Sequence, residues 1–505
     1  MDIASKELVT AGWILVIAYS AVILFFVIRG ALKIKNISDY AIGNVAFSPI
    51  AVGLALAASM TSAATFIINP GFIAFYGISG VISYAFVLPA AAMVSLIFLT
   101  KGFRKHGSTV RALTMAQWMG TRYKSKGYSL FFAFLSLLLI TFIVLICVGL
   151  VKVLSKTLNV SELYVLIGLV VFVFDYMMFG GANSMVYTNT VQAIIMIVVA
   201  FILLGSGYQH FSNGIHGFLD KLSSIDPKLV QPVNDTSFLF RDYFEIIYAQ
   251  IVIGVAIVCQ PHIITKSLLL NTDKDVNKYL VTAVIVQTLF FLVVITGLYA
   301  RIVFPDLTVK GIPLKLDGVI SAYVVHEFPV YIGLVVVMGL ISAGISTIEG
   351  LIQSVSTSVT ADIIKPLFGK FFPKDEKKNT STTILINRIV IAVIGLVSIL
   401  LSYDQLVNPN LSVGIFAQNG VYAYFSAAFV PILFGMFLKD TSKVAVITAS
   451  LVAIIVHFSY FYGNLPVPFT IATGQNPGVS GAVAITLSVL SGGLVYLFTR
   501  RKAYA

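Results

Sequence analysis

Residues 342–350 read SAGISTIEG, inside an apolar run that begins near Val330, and set Ser342, Ser346, Thr347 and Glu349 among valine, leucine, isoleucine and methionine. On a helix, Ser342, Ser346, Glu349, Gln353, Ser356 and Thr360 recur at steps of three or four and form one polar stripe. Such a stripe faces protein or water rather than lipid. Ala343 and Thr347 lie four apart on an adjacent strip, so the Ser346 and Thr347 hydroxyls and the Ala343 carbonyl can present three oxygens to one point. Hard cations such as Na+ take oxygen ligands, and uncharged oxygens bind a monovalent ion without holding it too tightly to release. Serine and threonine in a helix also bond back to the i−4 carbonyl or serve as small residues for close packing. The rest of the chain decides between these uses.

Of 505 residues, 58% are hydrophobic and 11% charged, with mean hydropathy +0.97; a soluble domain carries roughly 25% charged residues. This is the composition of an all-α integral membrane protein. A hydrocarbon core of about 30 Å needs roughly 20 apolar residues per helix. Thirteen such runs occur, near 10–31, 46–76, 80–100, 127–155, 162–181, 185–207, 244–266, 279–303, 328–362, 386–404, 411–437, 442–461 and 478–499. The net charge of +12 could suggest nucleic acid, but most of the basic residues fall on one alternate set of loops. Arg29, Lys33, Lys35, Lys101, Lys105, Arg111, Arg122, Lys266, Lys274, Lys278, Lys439 and Arg500 are among them. That bias predicts the N-terminus outside and the C-terminus inside. Basicity here serves topology, and no nucleic-acid partner is expected.

The first helix is longer than a signal h-region and no small-residue cleavage site follows it, so it is expected to remain as an anchor. Cys147 and Cys259 both fall inside spans and read as buried bystanders. No HExxH, GxSxG, P-loop or Rossmann pattern occurs. An outer loop near 208–243 has room for short surface helices. Sequons at Asn159, Asn234 and Asn410 fall on the outer side of this topology.

Two spans are interrupted. In the second, ALAASMTSAATFIINPGFIAFYG, an Ala/Ser/Thr-rich stretch at 57–65 precedes Pro70-Gly71, which is expected to end the helix. In the seventh, IVIGVAIVCQPHIITKSLLL, Pro261 removes a backbone donor in mid-membrane. Breaks of this kind are tolerated where they line a cavity, a water path or an ion. Spans two to six and seven to eleven each begin with a broken helix, and because five is odd the second group enters from the opposite side. A matched pair of interrupted helices in inverted halves points to a secondary transporter with its site at the midplane. The expected division is an extra helix at 1–45, repeats at 46–208 and 244–437, an external loop at 209–243, and two further helices at 438–505.

AGISTIEGLIQSVSTSVTADII (343–364) resembles the ninth helix of the sodium/solute symporter family, whose members include the bacterial proline and sialic acid symporters and the sodium-glucose transporters. MMFGGANSMVYTNTVQAIIM (177–196) and CQPHIITKSLL (259–269) resemble two further motifs of that family, in the same order. The resemblance implies the leucine-transporter fold, about thirteen transmembrane helices with a 5+5 inverted repeat, and alternating access. It implies Na+ held by the carbonyls of Ala58, Thr61 and Ala343 and the hydroxyls of Ser346 and Thr347. For the solute it implies Ser62 and Thr65 on the second span, Gln260 beside Pro261, and Phe416, Gln418 and Asn419 on the eleventh. Two positions depart from the pattern: Asn189 stands where the signature has aspartate, and Met60 where the proline branch has aspartate. Glu349 is then expected to supply a coupling charge, since an ionisable residue at mid-membrane costs from about 2.5 to 10 or more kcal/mol. It would sit beside Na+ or carry a proton.

Asp175 lies near the inner end of its span and reads as solvated or structural, and His262 follows the break of the seventh. The fourth span has no Arg or Lys between Tyr128 and Lys152, which argues against a carboxylate clamp there. The neutral hydrogen-bonding groups suit a small polar organic solute: an amino acid, monocarboxylate, vitamin or sugar. A channel would need a ring of filter groups, an enzyme a clustered catalytic set, and a sensor an added signalling domain. The compact loops point to a bacterial inner membrane. Na+-coupled symport is the leading expectation, with Glu349 and Asn189 as the coupling residues; proton-coupled symport through Glu349, or a non-transporting membrane sensor on the same fold, is the alternative.

Overall fold

The computed structural model describes residues 6–43, 47–110, 112–270, 272–408, 412–438, 442–468 and 470–504. Asn410, Lys105, Arg111, Lys439 and the expected boundary at 45/46 therefore gain no structural account: Asn410, Arg111, Lys439 and that boundary lie outside the described residues, and the side chains of Lys105 and Arg500 are not described either. Among the described residues, ten helices are long and apolar enough to cross a membrane, or up to twelve when each of two bent pairs counts as one span. In chain order they are α1 (Lys6–Ala31), the bent pair α2 (Pro49–Met60) and α3 (Ala64–Tyr76), α4 (Ile78–Arg104), α5 (Lys126–Leu158) and α6 (Glu162–Gly205). The second bent pair, α7 (Phe244–Ile257) and α8 (Pro261–Leu269), follows, then α9 (Lys274–Val303), α10 (Val330–Phe371), α11 (Glu376–Val407), α12 (Val413–Phe437), α13 (Lys443–Gly463) and α14 (Pro477–Thr499). A two-residue hairpin, Thr308–Val309 with Ile312–Pro313, lies between α9 and α10.

The difference from thirteen expected runs lies in α6, where the runs 162–181 and 185–207 join as one helix of 44 residues. Straight, it would be about 66 Å long, over twice the hydrocarbon thickness of about 30 Å. It is not straight. Gly181 has φ 54° and ψ −163°, a conformation essentially restricted to glycine, and a Cβ there would stand 2.8 Å from the Tyr40 ring and 2.9 Å from Ile34. The carbonyls freed at the break are met from outside the helix: the Tyr40 hydroxyl donates to Met177 O at 3.1 Å and Arg388 Nε to Met178 O at 3.4 Å.

The bends are 54° between α2 and α3 and 57° between α7 and α8. The first falls at Thr61–Ala63, where Thr61 leaves helical geometry and Ser62 Oγ accepts from Ala64 N at 3.1 Å. Pro70 was expected to end this helix and does not. A π-turn over Ala64–Ile68 shifts the hydrogen-bond ladder just ahead of it, and Pro70 enters the next turn at a first-turn position where its missing N–H is not required. At the second bend Gln260 is extended (ψ 136°) and Pro261 opens α8 at its N-terminus, as the restriction on a residue before proline dictates.

The centre is formed by α10 and α12, with 78% of the most apolar window buried in each, against 22% for α1. The polar stripe of α10 faces protein throughout. Ser342, Ser346, Glu349, Gln353, Ser356 and Thr360 are all buried, and Thr360 donates to Asn387 on α11 at 3.1 Å. The outer loop forms a helix at Gly214–Ile225 whose Phe218 and Leu222 are buried. Cys147 and Cys259 are buried and free, and Asp175 is exposed.

Three of the basic residues assigned to loops, Arg104, Arg122 and Lys266, are instead wholly or partly buried. Arg104 is 8% exposed and donates to Ser267 O and Leu270 O at the end of α8. Arg122 donates to Gly435 O and Leu438 O at the end of α12. Guanidinium groups suit these positions because the last carbonyls of a helix lack partners and carry its negative dipole end. Lys266, the third, belongs to the site described next.

Candidate ion and solute site

The break between α2 and α3 lies against α10, and the polar groups of both helices meet there. Ser346 Oγ donates to Ala58 O at 2.9 Å and contacts Ala343 O at 3.1 Å. Thr347 Oγ1 contacts Ser59 O at 3.0 Å and Ala343 O at 3.3 Å. Two hydroxyls and three carbonyls, all uncharged and buried, are therefore gathered within hydrogen-bonding distance. Thr61, at the break itself, is fully buried and its hydroxyl has no partner among the described residues. The chemistry of the set, oxygen only and without formal charge, fits a hard monovalent cation. Among the described residues no group of three or more His, Cys, Asp or Glu could hold a metal.

Beside this cluster stands Lys266, 3% exposed, whose Nζ donates to Ala55 O at 2.9 Å and to Ser59 Oγ at 2.5 Å. Asn189 Nδ2 donates to the same hydroxyl at 2.9 Å, and Ser59 in turn donates to Ser346 O at 3.2 Å. Asn189 thus joins the oxygen cluster through Ser59, and its Oδ1 is buried without a partner. Sequence reasoning missed Lys266 because it closes a span and counts as a loop charge. The signal was available: five residues after the proline break, a lysine stands within QPHIITKSLLL.

Glu349 looks the other way. It is fully buried, and its two carboxylate oxygens accept from the Tyr176 hydroxyl at 2.6 Å and from Thr188 Oγ1 at 2.7 Å, both on α6. Lys266 and Glu349 act on each other electrostatically without an ion-pair contact. Lys266 is held by α2 and Glu349 by α6, and a buried charge of either sign is tolerable only with compensation.

The expected solute residues are not all brought together. Ser62 Oγ is occupied by the Ala64 N–H at the bend, while Thr65 lies one turn along, 4% exposed. Gln260 Nε2 donates to Ile257 O at 3.1 Å, and its Oε1 is buried with no partner. On α12, Phe416 is half-buried and Gln418 is directed at the Tyr84 hydroxyl. Asn419 is turned to α13, where Tyr462 accepts from its amide at 3.2 Å and His457 Nε2 meets its Oδ1 and carbonyl at 2.9 Å. His262 is buried, lacks a partner at either ring nitrogen and shares a cleft with Thr265, Lys266, Gln353 and Thr357.

The chain aligns with the sodium/pantothenate symporter of Haemophilus influenzae at 27% identity, over 77% of this chain and 78% of that protein. It aligns with a monocarboxylic acid transporter of Corynebacterium glutamicum at 23%, over 76% and 72%. Its fold is that of a Na+-coupled sialic acid symporter, with TM-score 0.76 and 18% identity over 96% of this chain and 97% of that one. Residues 40–452 match the family model described as the sodium:solute symporter family, and the chain belongs to that family.

Proposed function

We propose that this protein is a multi-pass transporter of a bacterial inner membrane that couples uptake of a small polar organic solute to Na+ by alternating access. The observation that carries this reading is the meeting of Ser346 and Thr347 with the carbonyls of Ala58, Ser59 and Ala343 at the break between α2 and α3. Ala58, Thr61, Ala343, Ser346 and Thr347 hold the ion. The hydroxyl hydrogens rotate away from the carbonyls and leave lone pairs directed at the cation. Uncharged ligands allow release on the far side.

In the same reading α6 counts as two spans divided at Gly181, which gives thirteen, with the N-terminus outside. Residues 46–208 and 244–437 are inverted repeats, with 1–45 and 438–505 outside them. The solute lies between the bent pairs, near Ser62, Thr65, Gln260, Phe416 and Gln418. Asn419 is left out because His457 and Tyr462 already engage it. Relatives that carry pantothenate and monocarboxylic acids support a small organic solute. The test is solute uptake into proteoliposomes with an inward NaCl gradient. Flux that survives replacement of Na+ by K+ would sink the reading.

One observation favours a second reading, proton coupling. Lys266 places an ammonium against Ser59, beside the ion oxygens, and Glu349 places a carboxylate on the next face of α10. If these two groups carry the coupling proton, flux follows a pH gradient and Glu349→Gln abolishes that dependence.

A further inference from the structure

Away from the ion cluster, a cavity of about 680 Å³ opens among the ends of α5, α6 and α11 and the segment 304–326. Its size is that of a small-molecule site, commonly 300–1,000 Å³. Four lysines, Lys152, Lys156, Lys310 and Lys315, line it together with His326, against one lining carboxylate, Glu162. Lys152 is partly neutralised by Asp317 at 3.4 Å, whose other oxygen accepts from Ser412 at 2.9 Å. Lys156 makes no hydrogen bond or ion pair within 4 Å among the described residues. It is half-buried, and its Nζ stands over Gly318, 3.8 Å from the place a Cβ would take. Ser321, 4% exposed, lines the same cavity, and its buried hydroxyl has no partner. An unpaired buried hydroxyl is costly and calls for an explanation. A ligand oxygen supplies one.

We propose that this cavity captures the carboxylate of a small organic anion, with Lys156 Nζ and Ser321 Oγ as donors and Lys310 and Lys315 as an attracting rim, ahead of passage between the bent pairs. The proposal rests on the symport reading and narrows its solute to carboxylates of net negative charge, which sets pantothenate and pyruvate apart from zwitterionic proline. Lysines in a low-dielectric cleft raise the local concentration of an anion and its association rate. A neutral sugar gains nothing from them. An anionic lipid phosphate shares the recognising chemistry, so the test separates the two.

Wild type, Lys156→Gln, Lys156→Arg and Ser321→Ala are reconstituted in phosphatidylcholine, with and without phosphatidylglycerol. Na+-driven uptake of pantothenate, pyruvate, proline and glucose is then measured at low and high ionic strength. The expected result is uptake of a carboxylate with a KM that rises with salt. Lys156→Gln raises that KM about tenfold at low salt and flattens the salt dependence, with the effect on KM rather than on maximal rate. Lys156→Arg keeps both, and Ser321→Ala raises KM. Should Lys156→Gln fail to fold, Lys310→Gln/Lys315→Gln on the exposed rim carries the test. An unchanged KM and salt dependence in these variants overturns the proposal, as does a Lys156 effect seen only with phosphatidylglycerol. Na+-driven uptake of proline or glucose alone overturns it and leaves the symport reading standing. Absence of uptake of either carboxylate overturns it in every case. Absence of Na+-driven uptake of all four, with no Na+-specific thermal stabilisation, counts against symport itself.

Discussion

Tyr176→Phe removes a single oxygen from the structure and leaves Glu349 buried with one hydroxyl donor instead of two. The deleted contact is 2.6 Å and the remaining one, from Thr188, is 2.7 Å, distances that a hydroxyl adopts toward an ionised or a neutral oxygen alike. A hydrogen bond to a charged group contributes about 1.5–3 kcal/mol, whereas hydrogen bonds between membrane helices average about 0.6 kcal/mol. The gap between those figures reads out the charge of Glu349. A double-mutant cycle of Tyr176→Phe against Glu349→Gln isolates the pair, with equilibrium unfolding in SDS-containing mixed micelles followed by circular dichroism. The interaction energy should be about 1.5–3 kcal/mol, and it should fall towards about 0.6 kcal/mol in a Lys266→Met background, where the compensating ammonium is gone. A coupling of about 0.6 kcal/mol or less in the native background would refute the expectation that Glu349 is a charged carboxylate compensated by Lys266.

The same assay addresses three other features. Lys266→Met should cost about 3 kcal/mol, because Glu349 loses its compensating charge and must take up a proton to stay buried, and Lys266→Met/Glu349→Gln should recover most of that loss; no recovery means the two groups are independent. Gly181→Ala forces a Cβ into a positive-φ position against Tyr40 and Ile34 and should destabilise by at least about 1–3 kcal/mol, so a neutral result would remove the break from α6. Arg122→Met strips the donors from Gly435 O and Leu438 O. It should lower stability by about 1–3 kcal/mol, with faster hydrogen exchange confined to the end of α12.

The two bent spans were legible because their signals are local. A run of small and hydroxylated residues at 57–65 and a proline at 261 act on their own backbone, and both bends fall at those places. Pro70 was misread for the same reason: whether a proline ends a helix depends on the ladder around it, and a π-turn had already displaced that ladder. That Ser346 and Thr347 meet carbonyls at the break needed only the helical period and one neighbouring break; Ala58 was named by the family resemblance, and Thr347 meets Ser59 O instead. Glu349 could be singled out as an acid in an apolar span, but its partners could not, since Tyr176 and Thr188 are some 160–170 residues away in sequence. Lys266, at the edge of a span, reads equally as a loop charge or as a buried ammonium. Only the fold of α8 against α2 distinguishes the two. Asn419 illustrates the converse: an amide at a suitable height on α12 whose rotation directs it to α13 instead of the centre.

The ion cluster is the centre of the account, and Na+ binding to the folded state tests it most directly. Thermal unfolding of the purified protein is measured in a NaCl titration against KCl at matched ionic strength, for wild type and for Ser346→Ala/Thr347→Ala. Binding to the folded state alone adds RT ln(1 + [L]/Kd), about 2.7 kcal/mol at a hundredfold excess over Kd. The expected result is a rise in unfolding temperature that is specific to Na+ and absent from the double variant. Equal curves in Na+ and K+, or a Na+ response that survives loss of both hydroxyls, would contradict it.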